Sequence, residues 1–267
     1  MDSIRSCDPF FVAVTGPNFA RQQIADLAGG RCAAILVPDF MSRPRCEAVL
    51  AALTAAEFRT YDTKRVYPPV KRFGVGVSDY RQDGRINENY WDTVEADRND
   101  WRELGLGFDP FEVSRATLGM SWPGKISIGQ CDGRELSPGV AREPNDGFIV
   151  HFDDASREFS GNLLDVGLVA QFAFNLYLSV PEVGGETVIW RHLWHPGDEK
   201  HRLPSSYGYS DDVVGDAESF EMKPMVGQAL LFNPRYFHAV RPSHGARRIA
   251  LGFSVGLADT GDLVTWG

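Results

Sequence analysis

Cysteine is scarce and scattered: Cys7, Cys32, Cys46 and Cys131 are the whole complement in 267 residues, and no two stand in CxxC spacing. That excludes a zinc knuckle or a thioredoxin-type motif and leaves reduced, mostly buried thiols as the expectation. Long apolar runs are missing too. None approaches the roughly 20 residues that span a bilayer, and the start MDSIRSCDPFFVAV lacks a signal peptide's basic residues and cleavage site, so a cytoplasmic location without a membrane partner is expected. Basic residues are outnumbered, 27 against 36 acidic, for a net charge of -9. Such a balance opposes phosphate neutralisation and argues against a nucleic-acid partner. What is present is a chain 43% apolar, long enough for one large domain over residues 1–267.

Cys32 to Pro38 reads as a buried strand, and Ser42 precedes a helix from about Arg43 to Glu57 with Val49, Leu50 and Leu53 at helical spacing. The stretch from Tyr61 to Asp83 is punctuated by Pro and Gly and ends in an alternating run, Arg72 to Ser78. Asn87 to Leu104 and Phe111 to Met120 read as helices. From Lys125 onward short alternating strands separated by turn residues take over, the texture of a sandwich or barrel. The expected fold is therefore mainly β with flanking helices. Residues 1–123 form an N-terminal support region and 124–267 a catalytic core. A lid insertion lies at about 191–220, where Trp, His, Pro and Gly crowd between Arg191 and Tyr209.

His151 and Asp153 close the run Gly147 to Asp153. In an extended chain they point the same way, so an imidazole nitrogen and a carboxylate oxygen reach one ion, and a second histidine would complete the two-His, one-carboxylate triad of non-heme Fe(II). His-x-Asp alone is weak: six His and 22 Asp in 267 residues give about 0.5 chance occurrences. Context adds more. In the strand Gln171 to Ser179 the even positions are large and apolar, while the odd ones carry Gln, Ala, Asn, Tyr and Ser, neutral groups suited to a cavity wall. A later strand puts Arg248, Ala250, Gly252 and Ser254 on one face, leaving room for a ligand beside the guanidinium.

His151-Phe152-Asp153, Gly184-Gly185-Glu186-Thr187, Gly227 to Phe232, and His238 followed by Arg247-Arg248 together resemble the Fe(II)- and 2-oxoglutarate-dependent oxygenases. The likeness covers roughly Ser137 to Val255, and Tyr177 to Trp190 is similar to the branch acting on free amino acids or alkaloids, radical halogenases included. This resemblance implies a double-stranded β-helix (jelly-roll, cupin-like) core, with His151, Asp153 and His238 as catalytic Fe(II) ligands. It implies 2-oxoglutarate as cosubstrate with O2, and Arg248 gripping its distal carboxylate as a planar bidentate donor. Arg247 is the competing choice, placed by alternation on the opposite face. Tyr177 matches a position that often donates to the same carboxylate.

The implied activity is oxidation of an unactivated C–H bond of an amino acid or amino-acid-derived metabolite, with decarboxylation of 2-oxoglutarate to succinate and CO2. The related halogenases have Gly or Ala where Asp153 stands, so the carboxylate favours hydroxylation; ring closure and desaturation are other outcomes of the same hydrogen removal. For the substrate, Arg72 resembles an arginine that binds a carboxylate in amino-acid-acting relatives, Asp154 is placed to meet an amine, and Asn175 and Trp190 are pocket candidates. His192, His195 and His201 read as parts of a solvated lid and His244 as a surface residue. Two competing functions use the same architecture: a cupin-type metalloenzyme without 2-oxoglutarate, which usually takes three or four His ligands, and a non-enzymatic binding module. Neither calls for Arg248.

Overall fold

The computed structural model describes residues 11–160, 163–204 and 206–267; Cys7 lies outside them. Two β-sheets face each other. The larger runs in the order Ala13–Thr15, Ala34–Val37, Ala229–Phe232, Leu168–Ser179, Ile249–Ala258, Val140–Glu143, Lys71–Gly74 and Arg59–Thr60, with Leu263–Trp266 and Ile126–Ile128 continuing it beside the 249–258 strand. The smaller runs Phe148–His151, Tyr236–Val240, Thr187–Leu193, Ser219–Met222. Its four strands come from two distant stretches of chain, the facing-sheet pattern of a jelly roll.

The 168–179 strand shows why this sequence folds this way. Phe172, Phe174, Leu176 and Leu178 are each no more than 2% exposed and pack outward against helices α1 (Arg21–Ala28), α2 (Arg43–Ala55) and α4 (Pro110–Gly119). Phe174 also stacks on Phe253 of the neighbouring strand at 4.4 Å. Each such side chain contributes about 1.5–3 kcal/mol on burial. The opposite, polar positions Gln171 and Asn175 turn toward the small sheet. Helix α3 (Asn89–Glu103) supports the far edge, where Tyr90 is fully buried and accepts a hydrogen bond from the Ser137 N–H at 2.8 Å.

Three expectations need adjustment. The N-terminal region does more than support: Ala34–Val37 pairs with Ala229–Phe232, and Lys71–Gly74 pairs with Val140–Glu143, so its strands extend the core sheet. The inserted segment begins later than expected, because the strand Thr187–Leu193 carries through Arg191 and His192 before the chain turns into short 3-10 helices at Pro196–His201 and Asp211–Val213. His192 is half-buried rather than solvated, its ring 3.0 Å from the buried carboxylate of Asp198, whereas His195 is exposed as expected while reaching the same carboxylate at 3.1 Å. Asp198 pins the turn from within. Among the described residues no helix is long and apolar enough to cross a membrane. Cys32 and Cys46 are buried free thiols, pushed up to about 11 by burial.

Candidate metal and 2-oxoglutarate site

His151 and His238 are cross-strand partners in the small sheet. This register, rather than any local motif, brings them together, with ring centroids 4.2 Å apart. The strand ends at His151, so Asp153 stands on the extended segment just beyond it, its N–H donating to Pro234 O at 2.9 Å. The donor atoms of His151, Asp153 and His238 all lie within 4.8 Å of one another, and Asp153 Oδ2 is 3.6 Å from His238 Nε2.

The donor set fits a divalent iron. His151 Nδ1–H donates to Ile149 O at 2.7 Å and His238 Nδ1–H to Tyr236 O at 2.9 Å. Each bond fixes the tautomer and leaves a lone pair on Nε2, the orientation metal-binding imidazoles take. Burial, with the nearby charge of His238, pushes His151 down to about 4, so it is a neutral ligand at physiological pH. Burial opposes ionisation of Asp153, but the close approach of His238, with His151 and Arg142 nearby, outweighs it and holds the carboxyl below its ordinary range. Tyr207 and Phe148 pack on His151, and Phe232 on His238.

The triad opens on a cavity of about 660 Å³ between the sheets. Arg248 enters it 4% exposed. Its Nε–H donates to Gly185 O at 3.0 Å and an Nη2–H to Thr187 Oγ1 at 3.2 Å, and no carboxylate stands within ion-pair range among the described residues. Arg247 faces the other way, onto Glu143 and the ring of Phe58. The two glycines before Thr187 have specific work. Both have φ of +76°; a Cβ on Gly184 would lie 1.9 Å from Pro242 O, and one on Gly185 would crowd Pro181 at 2.6 Å and the Arg248 stem at 3.2 Å.

Other residues fall elsewhere than expected. Tyr177 lies beneath Arg248, fully buried, with its hydroxyl shared with Thr187 at 3.1 Å. Thr187, not Tyr177, lines the cavity. Asp154 is spent on structure: Oδ1 accepts from Ser156 N–H and Oγ–H to cap helix α5 (Ala155–Glu158), and Oδ2 pairs with Arg235 at 2.9 Å. Arg72 stacks on Tyr61, pairs with Asp79 at 3.0 Å and lines a separate cavity of about 360 Å³. Trp190 packs against the apolar cluster that includes Val150, Tyr209 and Phe237, and does not line the cavity. Asn175 does line it. Two residues escape the sequence reading, Thr187, whose motif was visible without a role, and Arg142, an arginine inside the otherwise apolar start of a short strand.

Known proteins place this arrangement. The chain is 37% identical over 259 residues, 96% of each chain, to an L-gamma-glutamyl-L-propargylglycine hydroxylase of Streptantibioticus cattleyicolor. It is 32% identical over 190 residues, 68% of this chain and 76% of the other, to leucinostatins biosynthesis cluster protein S of Purpureocillium lilacinum. The family of the carrier-protein-independent halogenase WelO5 matches residues 154–266. An N-substituted L-amino acid dioxygenase from Burkholderia ambifaria shares the fold, with a TM-score of 0.58 at 16% identity over 91% of this chain and 90% of that one. The chain belongs to the Fe(II)- and 2-oxoglutarate-dependent oxygenases, and is an enzyme of that family.

Proposed function

We propose that the enzyme hydroxylates an unactivated C–H bond of an amino-acid derivative, of the L-γ-glutamyl-L-amino acid kind, while 2-oxoglutarate is decarboxylated to succinate and CO2. The substrate class is taken from the hydroxylase that is 37% identical along nearly the whole chain. The observation that carries the choice of reaction is the Asp153 carboxylate among the three metal-ligand candidates. The halogenase-family match begins at residue 154, one residue past it, and so does not bear on that position.

In this reading His151, Asp153 and His238 hold Fe(II), which with 2-oxoglutarate and O2 supplies the oxidant for the C–H bond. Arg248 supplies two-pronged recognition of the distal carboxylate of 2-oxoglutarate, with the Thr187 hydroxyl beside it. Asp153 would serve as the third protein ligand, where the related halogenases carry a residue without a carboxylate and take a halide instead. Tyr207, Phe148 and Phe232 close the imidazoles off from water, which strengthens the electrostatic grip on anionic ligands. The cavity's 660 Å³ lies within the range of small-molecule sites and has room for the cosubstrate and a dipeptide-sized substrate.

The test is succinate formation with Fe(II) and 2-oxoglutarate in the presence of free L-amino acids and their L-γ-glutamyl conjugates, in buffer containing chloride, with mass measurement of the product. A conjugate that stimulates succinate and gains one oxygen atom supports the reading. A chlorinated product refutes the role given to Asp153, loss of two hydrogens replaces hydroxylation by desaturation or ring closure, and stimulation by free amino acids alone refutes the conjugate. Failure to form succinate with any of them refutes the substrate class.

A further inference from the structure

The cavity walls carry six arginines, Arg65, Arg81, Arg142, Arg157, Arg202 and Arg248. Most are occupied or peripheral. Arg65 pairs with Asp79, Arg202 with Glu199, and Arg157 stacks on Trp194. Arg81 and Arg157 are exposed. Two remain in the interior without a carboxylate, Arg248 and Arg142. The proposed cosubstrate accounts for only one of them.

Arg142 is fixed from three sides. Its Nε–H donates to the Tyr61 hydroxyl at 3.1 Å, and Tyr61 is itself held under the Arg72 guanidinium. Its strand pairs Arg142 with Ala250, two residues beyond Arg248. Nη1 reaches across Gly252: a Cβ there would meet it at 2.8 Å and meet Asn175 Oδ1 at 3.2 Å, so the guanidinium and the amide converge over a glycine. Both line the cavity, and no carboxylate stands within ion-pair range of the guanidinium among the described residues.

The negative groups sort the same way. Asp79 is paired with Arg65 and Arg72, Asp154 with Arg235, and Asp153 belongs to the metal triad. Glu158 is left over. It sits on α5, one turn beyond Asp153; its Oε2 accepts from the Ser78 hydroxyl at 2.7 Å, and no cation stands within ion-pair range among the described residues. The backbone of α5 is held in place by Gln171, whose Oε1 accepts from the Ala155 N–H at 2.9 Å.

We propose that Arg142, with Asn175, binds a carboxylate of the substrate and that Glu158 binds its ammonium group, so that the enzyme takes a zwitterionic amino-acid derivative between them. This rests on the amino-acid reading above and adds the recognition that selects it. A half-buried charge without an ionic partner loses hydration that a ligand group of the opposite sign would repay, and this cavity wall carries one of each sign. A planar guanidinium offers two parallel donors to a carboxylate, which a lysine cannot reproduce.

The experiment uses the full-length enzyme loaded with 2-oxoglutarate and Mn(II) in place of Fe(II). Calorimetry measures binding of L-γ-glutamyl-L-propargylglycine, its carboxamides, its N-acetyl form and free L-amino acids, and Fe(II) turnover is assayed in parallel. Arg142→Gln should weaken the binding of the parent dipeptide at least about 30-fold, the loss expected when one partner of a desolvated charge pair is removed. Arg142→Lys should recover only part of it. One carboxamide should bind the unaltered enzyme weakly and be indifferent to Arg142→Gln; likewise the N-acetyl form should be indifferent to Glu158→Gln. Circular dichroism and 2-oxoglutarate affinity report folding of each variant, and a misfolded Arg142→Gln passes the test to Arg142→Lys and Tyr61→Phe, which should weaken the dipeptide in the same selective way.

Loss of 2-oxoglutarate affinity in folded Arg142 variants would overturn the proposal and reassign Arg142 to the cosubstrate. Equal losses on parent and carboxamides would overturn it as well. If a dipeptide stimulates succinate formation yet none of these variants discriminates, the clamp is wrong and the amino-acid reading stands. If no zwitterion in the panel either binds or stimulates, both fall.

Discussion

Replacing Arg248 by Met should separate the cost of a buried charge from its use. Without ligand the guanidinium is 4% exposed and, among the described residues, is bonded to the neutral oxygens of Gly185, at 3.0 Å, and Thr187, at 3.2 Å. Burial lowers its pKa, so its charged form is disfavoured by the fold. A buried ion forfeits several kcal/mol of hydration, and each hydrogen bond to a charged group returns about 1.5–3 kcal/mol. These nearly cancel, so the ligand-free variant should unfold within a few degrees of the parent, or above it. With 2-oxoglutarate at 100 times its Kd the parent gains about 2.7 kcal/mol, which at roughly 2–4 °C per kcal/mol for a chain of this size is about 5–11 °C. If the lost bidentate pair costs about 2.7 kcal/mol, near the low end for such groups, Kd rises about 100-fold. The same ligand concentration then equals Kd and stabilises by only about 0.4 kcal/mol, roughly one degree. Thermal unfolding with Mn(II), with and without 2-oxoglutarate, reads both quantities. A variant that keeps the full ligand shift, or that loses many degrees before ligand is added, refutes the reasoning.

Three further outcomes are expected. Asp97, 4% exposed, is pushed up to about 7 by burial and by the charge of Asp100; its folded pKa lies above the unfolded one, so its contribution is present below about pH 4 and lost as pH rises through 7, at a cost of up to about 4 kcal/mol. Asp97→Asn should therefore raise Tm at pH 8 by several degrees and change it little at pH 4, and equal shifts at both pH values would contradict the assignment. Because burial keeps His151 neutral down to about pH 4, His151 should not compete with Mn(II) for a proton between pH 7 and pH 5, so His151→Ala should lower Mn(II) affinity in calorimetry by a similar factor at both pH values; a loss that shrinks markedly at pH 5 would contradict the assignment. Gly185→Ala, with φ of +76° and a Cβ 2.6 Å from Pro181, should cost about 1–3 kcal/mol in denaturant unfolding and weaken 2-oxoglutarate; wild-type stability and affinity together would show that the backbone there is free to move.

Periodicity made the larger features legible. The outward row of Phe172, Phe174, Leu176 and Leu178 announced a strand with one apolar face, and Gln171 and Asn175 on its reverse do face the cavity. Alternation likewise separated Arg248 from Arg247, which the fold sends to Glu143. What stayed hidden depends on partners distant in sequence. Asp154 looked available until Arg235 and the α5 cap claimed both oxygens, and Arg72 until Asp79 drew it toward another cavity. His192 looked solvated because the residue that draws it inward, Asp198, matters only once the chain turns at Pro196. Arg142 gave no local sign of itself; its position is set by pairing to a strand more than a hundred residues away.

The segments bearing the metal-ligand candidates are stitched to each other independently of any ion. His151 and His238 are a registered pair, Asp153 N–H is bonded to Pro234 O, and the next residue, Asp154, is tied to Arg235. Iron therefore has little chain left to organise when it arrives. Its affinity goes into coordination rather than into folding, so removal by a chelator should leave the sheets assembled and reloading should be rapid and complete.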